Sequence, residues 1–246
     1  MNKKEITISC KNLLFAYENG FLGNTTMPEN TNPFSNSGTK EEKLIYFSLP
    51  MSLNYQRNSY KLWESALKTW NDKDTQSVFV LKDIKDLTEE QLKEKLLKHK
   101  LALQPNKHIH TWKTICLTVS DNWGSFENMF DSVDYDFLKL RDLVQKDFKK
   151  GFPYLSGPKI FNYWSYIIQE YCDIELENSE YIEIAPDTHV IQASVKLGII
   201  TEKESKNISR EKLSKIWRDI LKDSGIDPID MHSPLWFWSR GGFKVD

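Results

Sequence analysis

The sequence predicts an all-α protein: a bundle of roughly eight to ten helices behind an irregular N-terminal arm. Three observations carry that expectation. Apolar residues recur at helical spacing through most of the chain beyond residue 40. Strand-like runs are few and short, Ile6-Thr7-Ile8 and Ser77-Val78-Phe79-Val80-Leu81. Residues that start helices stand at the heads of several periodic segments.

Taken in order, residues 1–40 are polar and punctuated by Gly20, Gly23, Pro28, Pro33 and Gly38, so they read as an arm packed over the domain. Residues 41–246 read as the helical domain, in two helical subdomains around a central cleft. Trp63, Ala66, Leu67 and Trp70 share one helical face. Thr88-Glu89-Glu90-Gln91 forms a capping-box pattern before Leu92 and Leu96. Ile109, Trp112, Cys116, Val119 and Trp123 make a stripe ending at Gly124, and Phe137, Leu140, Val144 and Phe148 make the next. Ser209 is placed to cap a helix carrying Leu213, Ile216, Trp217 and Ile220, stopped near Gly225. No internal repeat is present.

The 246 residues suffice to bury a core without staples, in one domain or two small ones. Eight tryptophans among them imply packing or stacking work for large flat rings. Cys10, Cys116 and Cys172 are scattered, with no CxxC, and His108 and His110 diverge on a helix. Neither a metal nor another cofactor is implied. No apolar run approaches a membrane span, and Met1 to Glu5 opens no signal-peptide core, so a cytoplasmic protein is expected. The net charge of −2 weighs against a nucleic-acid binder but leaves room for a local basic face.

Two segments carry the chemistry. The first is Phe152-Pro153-Tyr154-Leu155-Ser156-Gly157-Pro158-Lys159-Ile160, a tight turn between two helices. Gly157 permits close backbone approach or a positive φ. Pro158 suits the first position of the following helix, where its missing N–H costs nothing. Read alone, this is an αα-hairpin. The second is Pro186-Asp187-Thr188-His189-Val190, in which Asp187 opens a helix carrying Val190, Ala193, Ser194 and Leu197 and ending at Gly198. Read alone, Asp187 is an N-cap.

Together the two segments resemble the helix-hairpin-helix DNA glycosylase superfamily, in which such a hairpin precedes a Val-Asp-x-His-Val type segment. The pattern is nearest to the archaeal 8-oxoguanine DNA glycosylase/lyases. The resemblance covers about residues 41 to 243. It implies a catalytic aspartate at Asp187 and a Schiff-base lysine at Lys159, with Leu155, Gly157 and Lys150 on the DNA backbone. It implies that Gln56, in Ser52-Leu53-Asn54-Tyr55-Gln56-Arg57, fills the gap left by a flipped base. It implies a base pocket near the C-terminus, for which Trp236 is the first candidate, with Trp123 and His232 behind it. The sequence departs from the family in its hairpin, Tyr-Leu-Ser-Gly-Pro-Lys, where many members have two glycines. It lacks the cysteines that hold the iron–sulfur cluster of endonuclease III.

The implied activity is excision of a damaged or modified purine, such as 8-oxoguanine, from duplex DNA with the base flipped out. A carboxylate stabilises positive charge on the sugar as the C1′–N bond breaks. A lysine amine at C1′ forms a Schiff base that permits strand cleavage. That amine must be neutral, whereas a free lysine titrates near about 10.4. Desolvation and a helix N-terminus both lower it. Two alternatives remain: a nucleotide or nucleoside N-glycosidase, as in queuosine salvage, and a non-catalytic DNA-binding module. Lys146, Lys149 and Lys150 near the hairpin, and Arg210, Lys212, Lys215 and Arg218, are basic clusters that either hold a DNA backbone or form solvated faces.

Overall fold

A computed structural model describes residues 2–34 and 37–245 of the chain. Thirteen α-helices lie among the described residues. They are α1 (Lys3–Glu18), α2 (Lys40–Ser52), α3 (Ser59–Asn71), α4 (Leu81–Asp86), α5 (Glu89–Lys98), α6 (Pro105–Asn122), α7 (Phe126–Asp131), α8 (Phe137–Asp142), α9 (Pro158–Tyr171), α10 (Thr188–Lys196), α11 (Glu202–Ser205), α12 (Arg210–Leu221) and α13 (His232–Arg240). No strand occurs among the described residues, where β-pairing is limited to an isolated bridge between Asp136 and Glu177. The protein is therefore all-α. The helices outnumber the expectation because α4, α7, α8 and α11 have six residues or fewer, too few for a periodic stripe. No helix among the described residues is long and apolar enough to cross a membrane.

Side-chain caps explain most helix starts. Asn2, Thr39, Thr88 and Thr201 each accept a backbone N–H three residues on, and Glu5, Glu42, Gln91 and Glu204 return the bond. Ser209 caps α12 as its sequence position implies. The stripe from Phe137 to Phe148 is not one helix. After α8 the backbone widens into a π turn, Leu143–Asp147, which sends Phe148 against Trp123 with ring centroids 4.8 Å apart.

Residues 1–40 are not an irregular arm throughout. Asn2 and Glu5 cap α1, and Ile6, Cys10, Leu13 and Ala16 form its buried stripe. The Ile6-Thr7-Ile8 alternation is thus less than one turn of helix read at the wrong period. Helix α1 packs on α12 and α13, and Tyr17 stacks on Phe237 with centroids 6.0 Å apart. The chain accordingly divides at other places than residue 40. One compact unit is Met27–Asn178, the middle unit; the other joins Met1–Thr26 to Ser179–Asp246, the terminal unit.

In the middle unit, α2 is buried from Leu44 through Ser52 and packs along α9. Tyr46 and Phe47 stand at the centre of a ring cluster with Trp63, Phe79 and Tyr171. Three fully buried tryptophans fix its helices, and each indole N–H is satisfied. Trp63 donates to Glu29 Oε1, Trp112 to the Val78 carbonyl and Trp164 to Ser48 Oγ, each at 2.9 Å. The terminal unit repeats the device once: Trp217 on α12 donates to Ser194 Oγ on α10 at 2.9 Å. There α10 packs on α13, bringing the segment after Asp187 against the C-terminal aromatics.

Candidate functional site

The candidate site residues fall on both units, and each group has its own local architecture. In the middle unit, the chain leaves the π turn through a 3-10 turn at Lys149–Gly151 and enters the hairpin. Gly151 sits hard against α6: a Cβ there would stand 2.5 Å from Thr118 Cγ2. The hairpin bends at Tyr154, which takes the left-handed backbone at φ 60°, a conformation bulky residues rarely adopt. Gly157 does not use a positive φ. It is extended at φ −69° as the N-cap of α9, where an added Cβ would lie 3.1 Å from the Tyr154 carbonyl oxygen. Its need is for close approach. Pro158 is the first residue of α9, as expected.

Leu155 is fully buried, with its N–H bonded to the Pro153 carbonyl at 2.7 Å. Its side chain anchors the hairpin in the core. Lys159 is exposed in the first turn of α9. Lys150 is exposed on an open groove of about 490 Å³, shared with Lys146, Lys149, Asn122 and Thr118. Gln56 is exposed on the loop after α2, in the left-handed region at φ 50°. Its neighbour Tyr55 lies against Tyr154, ring centroids 5.6 Å apart, so the Gln56 loop and the hairpin are adjacent. Trp123 ends α6 half-buried, and Phe148 covers one edge.

In the terminal unit, Asp187 is the N-cap of α10. Its Oδ1 accepts the Val190 N–H at 2.9 Å, and the residue is half-buried. His189, in the first turn of α10, is clasped by α13. Trp236 meets it edge-on with centroids 5.5 Å apart, and Nδ1 lies 3.2 Å from Ser239 Oγ. Ser239 donates onward to Gln192 Oε1 at 2.9 Å. The Ser239 hydroxyl thus links the His189 ring on α10 to the Gln192 amide on the same helix. Trp236 is half-buried under the Arg240 guanidinium, 4.9 Å from the ring centroid. His232 is buried one turn earlier on α13.

Of the sequence candidates, Gln56, Leu155, Gly157, Lys159, Lys150 and Trp123 thus belong to the middle unit; Asp187, Trp236 and His232 belong to the terminal one. Sequence reasoning missed the Tyr55–Tyr154 contact, the Ser239–Gln192 support of His189, and the bonds from α12 to the irregular segment before Asp187. A periodic polar stripe on α12 was the legible signal for the last.

Among the described residues, no three His, Cys, Asp or Glu side chains are grouped to hold a metal ion. The three cysteines are buried and unpaired by disulfides; burial pushes the Cys10 thiol up to about 12 and raises the other two as well. They are packing residues, with thiolate chemistry suppressed. Compared with known proteins, the chain matches no family model and no curated protein.

Proposed function

We propose that this chain is a DNA N-glycosylase with AP lyase activity, of the helix-hairpin-helix type, that removes a damaged or modified purine such as 8-oxoguanine. One observation carries the reading. An amine and a carboxylate, Lys159 and Asp187, each stand at the head of an amphipathic helix with solvent access. That is where a nucleophile and a charge-stabilising acid can reach a ligand. The hairpin before Lys159 and the lysine-lined groove beside it support a backbone contact on DNA.

In this reaction the Lys159 amine attacks C1′, and the C1′–N bond breaks with its electron pair going to the departing base. Asp187 is the candidate to offset the positive charge that develops on the sugar, and the proton the amine releases passes to water. Ring opening then gives an iminium, and loss of the C2′ proton expels the 3′ phosphate. Trp236 is the candidate to stack on the extruded base, with Trp123 and His232 as further pocket residues, and Gln56 the candidate to fill the vacated stack.

Borohydride trapping on lesion-containing duplexes tests the reading. Reduction of the iminium leaves a covalent adduct, expected with the native chain and absent in Lys159→Ala. Lys150→Ala should lower the salt slope of duplex binding by about one unit without changing the lesion preference. The net charge of −2 favours a second reading, a nucleotide or nucleoside N-glycosidase on the same scaffold. Cleavage of a free nucleotide, with neither adduct nor base release across a panel of oxidised, deaminated and alkylated duplexes, would select it.

A further inference from the structure

Helix α12 carries polar side chains at four-residue spacing, Arg210, Ser214 and Arg218, which places them on one face. All three engage the irregular segment that runs from Ile182 into Asp187. Arg218 pairs with the Glu183 carboxylate. Ser214, itself buried, donates to the Ile184 carbonyl at 3.0 Å. Arg210 donates from Nη1 to the Pro186 carbonyl at 3.2 Å. The order is antiparallel: the segment advances as the helix descends. The lengths agree. Eight helical residues rise about 12 Å, and three extended residues span about 10 Å.

The last of these bonds has a direct consequence for Asp187. The Pro186 carbonyl and the Asp187 N–H share one planar peptide. Fixing that oxygen therefore fixes the plane from which the Asp187 side chain departs. The carboxylate is pinned at its other end by the Val190 N–H. Arg210 uses one of its five N–H donors here, so its guanidinium has directional capacity to spare.

We propose that Arg210, backed by Ser214 and Arg218, is a positioning residue for Asp187: α12 acts as a three-point brace that sets the orientation of the carboxylate. The inference rests on the reading of Asp187 as the reactive acid. A misplacement of about 1 Å at a reacting group costs up to roughly a hundredfold in rate.

The test compares Arg210→Met, Arg210→Lys, Asp187→Asn and, as a charge control at the far end of the same helix, Lys222→Met. Two readouts are needed. In base release from a lesion-containing duplex, Arg210→Met should lose roughly tenfold or more in kcat with KM within about twofold, and Arg210→Lys should recover part of it. In amide hydrogen exchange, which needs no substrate, Val190 protection should fall by about fivefold or more in Arg210→Met and hold in Lys222→Met. Unchanged Val190 protection in Arg210→Met overturns the brace whatever the activity. If Asp187→Asn retains base release, the catalytic reading of Asp187 fails and the brace loses its purpose. If Asp187→Asn abolishes it while Arg210→Met keeps full kcat, the brace alone falls.

Discussion

Asp187 and Glu29 are both carboxylates at the start of a helical turn, and each accepts one N–H at 2.9 Å. Their surroundings differ completely. Asp187 bonds its own helix and keeps solvent access. Glu29, in the 3-10 turn Pro28–Asn30, is 1% exposed and holds the Trp63 indole. Its Oε2 lacks a partner in full hydrogen-bonding geometry, and the Tyr163 hydroxyl nearby gives only weak support. Burial pushes Glu29 up to about 7. A perturbed acid is often taken as a mark of function. Here the strongly perturbed one is walled into a ring cluster with no route to a ligand, and the accessible one stands at a helix head. Solvent access marks Asp187 as the reactive candidate, and burial marks Glu29 as a strut.

The largest effect expected from breaking this contrast is on catalysis. Asp187→Asn keeps an N-cap acceptor of equal quality, so α10 should form as before. It removes the negative charge that a cationic sugar requires. Base release should fall roughly 10²- to 10³-fold, with a melting temperature within about 2 °C of the native chain. Single-turnover kinetics beside a thermal melt measures both. Full activity in this variant would leave Asp187 a cap and nothing more.

Glu29 should show the opposite: a large pH-linked effect on stability. Its folded-state value of about 7 lies above the ordinary 4.5. The folded protein therefore holds the proton more tightly than the unfolded chain. That contribution is fully present below about pH 4.5 and is lost as the pH rises through about 7, by about 3 kcal/mol at most. Glu29→Gln retains an acceptor for Trp63 and cannot ionise. The variant should lose this slope and become the more stable form above pH 7. Urea unfolding of both proteins between pH 5 and pH 8 reads the difference. Parallel pH profiles would show that Glu29 stays ionised in the core.

What the sequence discloses follows from the range of the interactions involved. The capping box at Thr88, the Ser209 cap, Pro158 as a first helical residue and Asp187 as an N-cap were all legible, because each depends on neighbours within four residues. Helix α1 was equally local but was masked by the turn residues beyond it; the Asn2–Glu5 box and the Ile6, Cys10, Leu13, Ala16 stripe were present to be read. Glu29 could not have been found. Its burial is created by Trp63 and by Tyr163, far along the chain. Nor could the division into units, which unites α1 with residues beyond 178. The cluster of Arg210, Lys212, Lys215 and Arg218 was half legible as a solvated face. All four are exposed, but only the two arginines, at eight-residue separation, also bond the segment before Asp187. Charge counting cannot separate them; spacing can.

The smallest effect isolates the part of Asp187 that is purely structural. Asp187→Ala removes both the charge and the acceptor for Val190 N–H, whereas Asp187→Asn removes the charge alone. The two variants should be equally poor in base release. Their stabilities should differ by about 1 kcal/mol, the usual worth of a side-chain N-cap. For a chain of this size that is about 2–4 °C in melting temperature. Ser239→Ala, which takes away the hydroxyl under His189 but leaves the cap, should not reproduce the difference. If Asp187→Ala and Asp187→Asn melt together, the Val190 bond contributes nothing measurable. The orientation of the carboxylate would then depend on the peptide plane that Arg210 holds, and the chemical and structural roles of this acid would be separable side by side on one residue.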